Sequence, residues 1–147
     1  MPRFSLETAL KVRERLEKLY QKALAEQVQI QQQLRDQKKM IETALDAHRR
    51  DLNSARRTSF TISQMQMSDQ FRDRMIDKIE TTENQLVEQE EVIELKRQEL
   101  TKATQKKRVL EILKEKQEQR FLEEMERQER KEADEIAQGL HRYPMSS

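Results

Sequence analysis

The chain has no cysteine and no tryptophan, one glycine and two prolines. Without cysteine there is no disulfide framework and no thiolate metal site. One glycine excludes a glycine-rich phosphate loop. That glycine, Gly139, and the prolines, Pro2 and Pro144, stand near the two ends. Nothing between them strongly breaks a helix. Aromatic residues are 4% of the 147, too few to cover the core of a compact globule of this length. No apolar run approaches the roughly 20 residues that span a bilayer, and the first five residues lack a signal-peptide apolar block. Neither sign of charge dominates: 29 basic residues stand against 28 acidic ones, net +1. That balance disfavours nucleic acid, which demands a basic stripe that displaces counterions. The only histidines, His48 and His141, are too few for a metal centre. No nucleophile and base are placed to share a water-excluding pocket, so neither enzymatic activity nor a cofactor is expected.

What is present is charge, at 39%, together with glutamine, leucine and alanine. These residues lose little on entering a helix. A chain so polar and so poor in glycine and proline predicts long helices that each bury one narrow stripe. The first helix is expected over about 5–56, with Ser5 as its cap and Phe4 stapled onto Ala9. Its apolar ladder runs Leu6, Ala9, Leu16, Tyr20, Ala23, Ile30, Leu34, Ile41, Ala44, Leu52 and Ala55, spaced near the alternating three and four of a coiled-coil seam. Arg13, Gln27, Gln37 and His48 occupy steps where an apolar residue would fit. Glu7 with Lys11 and Glu14 with Lys18 read as surface pairs.

Residues 58–68, TSFTISQMQMS, contain no charge. The break between helices is expected at about 57–68, with Ser63 and Gln66 as a capping box. The second helix, about 69–138, carries Phe71, Met75, Ile79, Leu86, Ile93, Leu100, Ala103, Leu110 and Leu113. It should end at Gly139 in a left-handed cap, before a tail of 139–147. Folding back about residues 59–60 makes facing positions sum to about 119. Leu6 then faces Leu113, Ala9 faces Leu110, Leu16 faces Ala103, Ala44 faces Met75 and His48 faces Phe71. Leu34 falls beside Leu86, and Ile41 meets the stem of Lys78. The fold class read from this is an all-α, antiparallel two-helix coiled-coil hairpin, one domain over 1–147, with arms of roughly 80 Å. The second helix is longer, so residues after about Lys114 lack an intramolecular partner. Nine basic and ten acidic residues between 106 and 135 make that extension polar, with Glu123–Arg127 and Glu126–Arg130 as salt bridges. A parallel homodimer of continuous helices is the competing architecture, and a structural tether or scaffold is the function that goes with it.

The opening FSLETALKVRERLEKLYQKALAEQ and the closing KKRVLEILKEKQEQRFLEEMERQERKEADEIA resemble the flagellar export protein FliJ family, as do the length, the uncharged midpoint and the DEIA segment. The resemblance covers nearly the whole chain. It implies a non-enzymatic stalk similar to the γ subunit of rotary ATP synthases. Such a stalk sits in the ring of the export ATPase FliI, meets the export gate protein FlhA, and is linked to FliH and export chaperones. It implies a cytoplasmic place, peripherally associated with the inner membrane through the export apparatus. The corresponding stalk of a virulence-type secretion system is the nearest alternative. The family's gate-binding patch falls on Gln37, Ile41, Ala44, His48, Phe71, Met75, Lys78 and Thr82. Gln37, Ile41, Phe71 and Met75 fit its pattern. Ala44 and His48 depart from it, standing where tyrosine is common, and Lys78 and Thr82 depart too. Ring contacts are expected from Phe121, Met125, Arg127 and Arg130. Read from the residues alone, the patch also serves to close the seam next to the turn, and the extension also reads as a solvated single helix.

Overall fold

The computed structural model describes the backbone of residues 5–55 and 60–142, and side chains through residue 139. Two helices account for these residues: α1, Glu7–Ala55, and α2, Ile62–Arg142. The contacts divide into two compact units, Met1–Lys18 with Lys102–Ser147, and Leu19–Thr101. The sequence reading treats 1–147 as one coiled-coil domain.

In each unit a stretch of α1 runs antiparallel to a stretch of α2. Within the first unit Glu7 pairs with Lys114 and Glu17 with Lys107. Within the second, Gln27 meets Gln89, Gln31 meets Glu90, Lys38 meets Glu83 and His48 meets Phe71. Every one of these pairs is centred between residues 58 and 62, the fold-back position read from the sequence. The antiparallel hairpin with the longer second helix is therefore the fold.

The seam follows a strict rule. On α1 the half-buried or buried set includes 10, 13, 17, 20, 24, 27, 31, 34, 38, 41, 45, 48, 52 and 55, alternating steps of three and four throughout. On α2 the same alternation holds over 75, 79, 82, 86, 89, 93, 96, 100, 103, 107, 110, 114, 117 and 121. This is the 3.5-residue repeat that keeps one stripe facing a partner helix. It corrects the expected ladder in several places. Leu10, not Leu6 or Ala9, is the buried residue of the first turns, and Leu45 rather than the exposed Ala44 is buried. Where Ala and Leu are adjacent, the larger side chain takes the seam because it removes more apolar area from water. Ile30 is 40% exposed, and the neighbouring step is filled by Gln31. Gln37 is exposed and Lys38 takes its step.

Few apolar side chains are fully enclosed: Leu10, Leu45, Ile93 and Ala103 among the described residues. Two helices alone cannot surround a seam, so flanking positions stay wet. Polar seam residues compensate with hydrogen bonds across the pair. The Gln89 amide donates to the Gln27 side chain at 2.8 Å and to its carbonyl at 2.9 Å, and the Gln31 amide donates to Glu90 at 2.7 Å. A slip of register would leave the part-buried Gln27 and Gln89 groups unpaired.

The helix ends also differ from expectation. The first α1 bond is accepted by the Leu6 carbonyl, from Leu10 N–H at 2.9 Å. The Phe4 staple lies outside the described residues. Glu7 reaches across to Lys114 at 3.3 Å rather than along its own helix to Lys11. α2 begins at Ile62, seven residues before the expected 69. Its capping box is Thr61 with Gln64, not Ser63 with Gln66. The Gln64 N–H donates to the Thr61 hydroxyl at 3.2 Å, and the Thr61 N–H donates to Gln64 Oε1 at 3.0 Å. Gly139 is helical with no positive φ, so the left-handed cap is not formed there and α2 continues to Arg142. Glycine permits that conformation without requiring it, and no breaker follows until Pro144. Side chains of His141 and Arg142, and Pro144 itself, lie outside the described residues.

Thr61→Ala is expected to cost about 1 kcal/mol. Amide exchange in the first turn of α2 should speed up while exchange at Ile93 is unchanged. Equal acceleration at both sites would deny Thr61 the capping role.

Candidate functional site

All eight residues of the expected gate patch belong to the unit Leu19–Thr101. His48 and Phe71 are drawn together at the end of the patch nearest the turn. Their ring centroids lie 4.6 Å apart with planes tilted by 48°. This is the tilted geometry that aromatic quadrupoles favour. The second shared contact of His48 is Ser68, whose hydroxyl lies 2.8 Å from Nε2. Ser68 is one of two buried polar residues described, so this bond satisfies a group otherwise costly to bury. It also fixes the imidazole face against Phe71.

Ile41 and Met75 are half-buried, about two and one helical turns respectively from the His48–Phe71 pair. Gln37, Ala44 and Lys78 are exposed beside them. Thr82 behaves differently. It is 2% exposed and its hydroxyl donates to the Lys78 carbonyl at 2.8 Å. Thr82 faces the seam and offers no surface to a partner. The accessible patch is therefore seven residues, half-enclosed at Ile41, His48, Phe71 and Met75 and open at the other three.

Next to this patch the structure shows what the sequence reading missed. An open groove of about 590 Å³ adjoins His48 and Phe71 and is lined by Leu52, Phe60 and Met67. Asp51 and Arg74 stand at its rim. The sequence offers only two large apolar residues near the turn, Leu52 before the uncharged stretch and Phe60 within it.

The expected ring-contact residues lie in the other unit. Phe121 is half-buried, Met125 is 43% exposed, and Arg127 and Arg130 are exposed. Every described side chain from 122 to 138 is exposed. Glu126 pairs with Arg130 at 3.7 Å, as expected, while Glu123 accepts a hydrogen bond from Gln119 at 3.5 Å.

That unit is held by an ion pair within its seam. Lys107 Nζ donates to Glu17 at 2.9 Å, with the two side chains 24% and 12% exposed. The Lys107 hydrogen bond holds the Glu17 carboxyl below its usual value of 4.5, against the opposing effect of burial, and Thr104 adds to the lowering. The same bond raises Lys107 above its usual 10.5, again against burial. The Glu17 contribution to stability is complete above pH 4.5 and is lost as pH falls through the lowered folded value. The Lys107 contribution is complete below pH 10.5 and is lost as pH rises through the raised folded value. Helix melting temperature followed by circular dichroism should show a plateau between these limits. Glu17→Gln should make the acid limb shallower, and an unchanged acid limb would remove Glu17 from this role.

Among the described residues no group of three or more His, Asp or Glu side chains is arranged to hold a metal ion. No described helix is long and apolar enough to cross a membrane. No individual curated protein and no solved structure matches the chain. One family does, under the description flagellar FliJ protein, with the match running from residue 2 to residue 146. Matched over nearly its full length, the chain belongs to the flagellar FliJ protein family, components of the flagellar export apparatus.

Proposed function

We propose that this chain is the stalk of the type III export ATPase, joining the ring formed by FliI to the gate protein FlhA, with FliH and export chaperones as further partners. It works without catalysing a reaction, on the cytoplasmic side of the inner membrane and peripheral to it. The observation that carries this reading is the His48–Phe71 pair, a half-exposed aromatic contact flanked by Ile41 and Met75. Aromatic side chains that are half-enclosed in their own fold are suited to complete their burial against a partner. Gln37, Ala44 and Lys78 surround them as the adjustable margin of that contact. The exposed helix from 122 to 138 supports the ring contact. A long helix with no apolar stripe of its own is stabilised by a surface that complements its charges. Phe121 and Met125 are the apolar anchors there, with Arg127 and Arg130 as the charged ones.

Titration of the full chain against the purified cytoplasmic domain of the gate protein, and separately against the assembled ATPase ring, tests the proposal. Saturable binding to both is expected. Binding to neither would refute the stalk role.

A further inference from the structure

Within the unit Leu19–Thr101, a second stripe runs along α1 beside the seam. It takes steps 19, 23, 26, 30, 33, 37, 40, 44 and 47, alternating four and three as the seam does. At 3.5 residues per turn it stays about 100° round the helix from the side chains that face α2, so α2 leaves it largely open. Six of its nine steps are apolar: Leu19, Ala23, Ile30, Met40, Ala44 and Ala47. Leu19 is 62% exposed, Met40 74% and Ile30 40%. Over residues 20–55 of the same helix, the seam itself is apolar at seven of its eleven steps. The outer stripe is therefore as apolar as the seam that holds the hairpin, yet it faces water. Gln37 and Ala44 are shared with the gate patch, and the other steps belong to no surface described above.

The periodicity defines what covers such a stripe. Alternating steps of three and four form a straight row of knobs and holes only against another helix. The polar steps and the flanking charges then select the helix. Take a second copy of α1 running antiparallel, with the two-fold axis between residues 31 and 32. Leu19 faces Ala44 of the second copy, Ala23 faces its Met40, Glu26 its Gln37, and Ile30 its Gln33. Leu19 and Met40 each meet an alanine, the large-against-small alternation that lets helices interdigitate. The Glu26 carboxylate meets an amide that donates to it. On the flank Gln29 meets Asp36, again a donor against a carboxylate, and Lys22 meets Thr43. Sliding the copies by one heptad removes this match. In one direction Asp36 meets Asp36, Lys22 meets Arg50, and Glu26 meets Ala44. In the other, Leu19 meets Gln37, Ala23 meets Gln33, and Glu26 meets Ile30. The first register alone gives Glu26 a hydrogen-bond donor while keeping like charges apart, and an unpaired carboxylate is costly to cover.

We propose that two copies of the chain pair antiparallel through this stripe of α1, about a two-fold axis between residues 31 and 32. The contact is isologous, so each copy presents the same residues to the other and the assembly closes as a dimer. This pairing goes beyond the stalk reading and does not depend on it.

Sedimentation equilibrium of the full chain across a wide range of concentrations tests the proposal. A reversible dimer is expected. The double variant Leu19→Glu, Met40→Glu should raise its dissociation constant about tenfold or more, since it removes apolar area and sets carboxylates against alanine. Both residues are exposed and glutamate is a good helix former, so helicity by circular dichroism should be retained. Val87→Glu, at a 64% exposed position on α2, should leave the dimer unchanged. The chain has no cysteine, so single introduced thiols report the orientation. Gln33→Cys, beside the axis, should give a disulfide-linked dimer under mild oxidation. Ala47→Cys should not, because its two copies lie about 45 Å apart along an antiparallel pair. A monomer at every concentration, or a dimer unmoved by the double variant, would overturn the proposal. So would an equal loss from Val87→Glu, or crosslinking through Ala47→Cys, which would mean a parallel pair. The gate titration uses a different protein and stands or falls separately.

Discussion

Ile93→Ala is expected to destabilise the hairpin by about 2–4 kcal/mol, read from urea unfolding followed by helix content. Ile93 is fully buried, and only three other apolar residues described are comparably enclosed. The seam steps on either side of it are Gln89 and Lys96, which are polar and tied to hydrogen bonds or ion pairs. They cannot collapse into the space left by three missing carbons without losing those partners. The cost therefore combines lost transfer energy with a residual cavity. Val87, 64% exposed on the same helix, is the internal comparison. Val87→Ala should change stability by no more than about 0.5 kcal/mol. Similar losses at both positions would mean that α2 presents a different face to α1. Because whole domains are stable by only about 5–15 kcal/mol, a loss of this size removes a large share of the total.

Phe71→Ala is expected to weaken binding to the gate protein by about thirtyfold or more, the loss typical of an aromatic anchor in a contact. Two losses combine. The partner forfeits the ring itself, and His48 forfeits the aromatic face that lies 4.6 Å away and helps orient it. Gln37→Ala, at an exposed margin, should change affinity by less than about threefold. Leu45→Ala separates affinity from stability. Leu45 is 5% exposed, so it cannot touch a partner, yet its truncation destabilises the same unit. Measured under conditions where each variant stays helical, Leu45→Ala should bind as the parent does. A loss at Leu45 equal to that at Phe71 would show that the unit's stability, rather than its surface, sets affinity.

The fold was readable because the strongest signals in the sequence agree. Glycine and proline are confined to the ends, the midpoint is uncharged, and apolar spacing on both limbs points to one fold-back. The His48–Phe71 contact follows directly from that register. The exact seam was less readable for a physical reason. Ala9 and Leu10, Ala23 and Leu24, and Ala44 and Leu45 are adjacent pairs in which either member fits a three-and-four ladder taken alone. Only the unbroken alternation of the whole helix, together with the greater area buried by leucine, selects one. Ile30 shows the same logic in reverse. The alternation demands Gln31 at that step, and its hydrogen bond to Glu90 makes the polar choice tolerable.

The cap of α2 was misplaced because residues 58–63 offer several hydroxyls, and sequence cannot decide which one stands at the last non-helical position. Thr61 holds that position, and Gln64 three residues on returns the bond. In the candidate site, Thr82 could be placed on the patch by resemblance but not by exposure. Its step in the 3.5-residue repeat turns it inward. The groove lined by Leu52, Phe60 and Met67 was out of reach because it depends on how the two limbs approach the turn, which spacing alone does not specify.

Spin labels at Gln33 and Glu88, both exposed and within one unit, test the doubling-back of the chain most directly. The Gln31–Glu90 hydrogen bond lies two residues from each. Helix axes about 8–10 Å apart, extended by two label arms, predict an intramolecular separation of no more than about 30 Å. A separation near 80 Å, the span of the intervening residues as one continuous helix, would contradict the hairpin and the sites built on it.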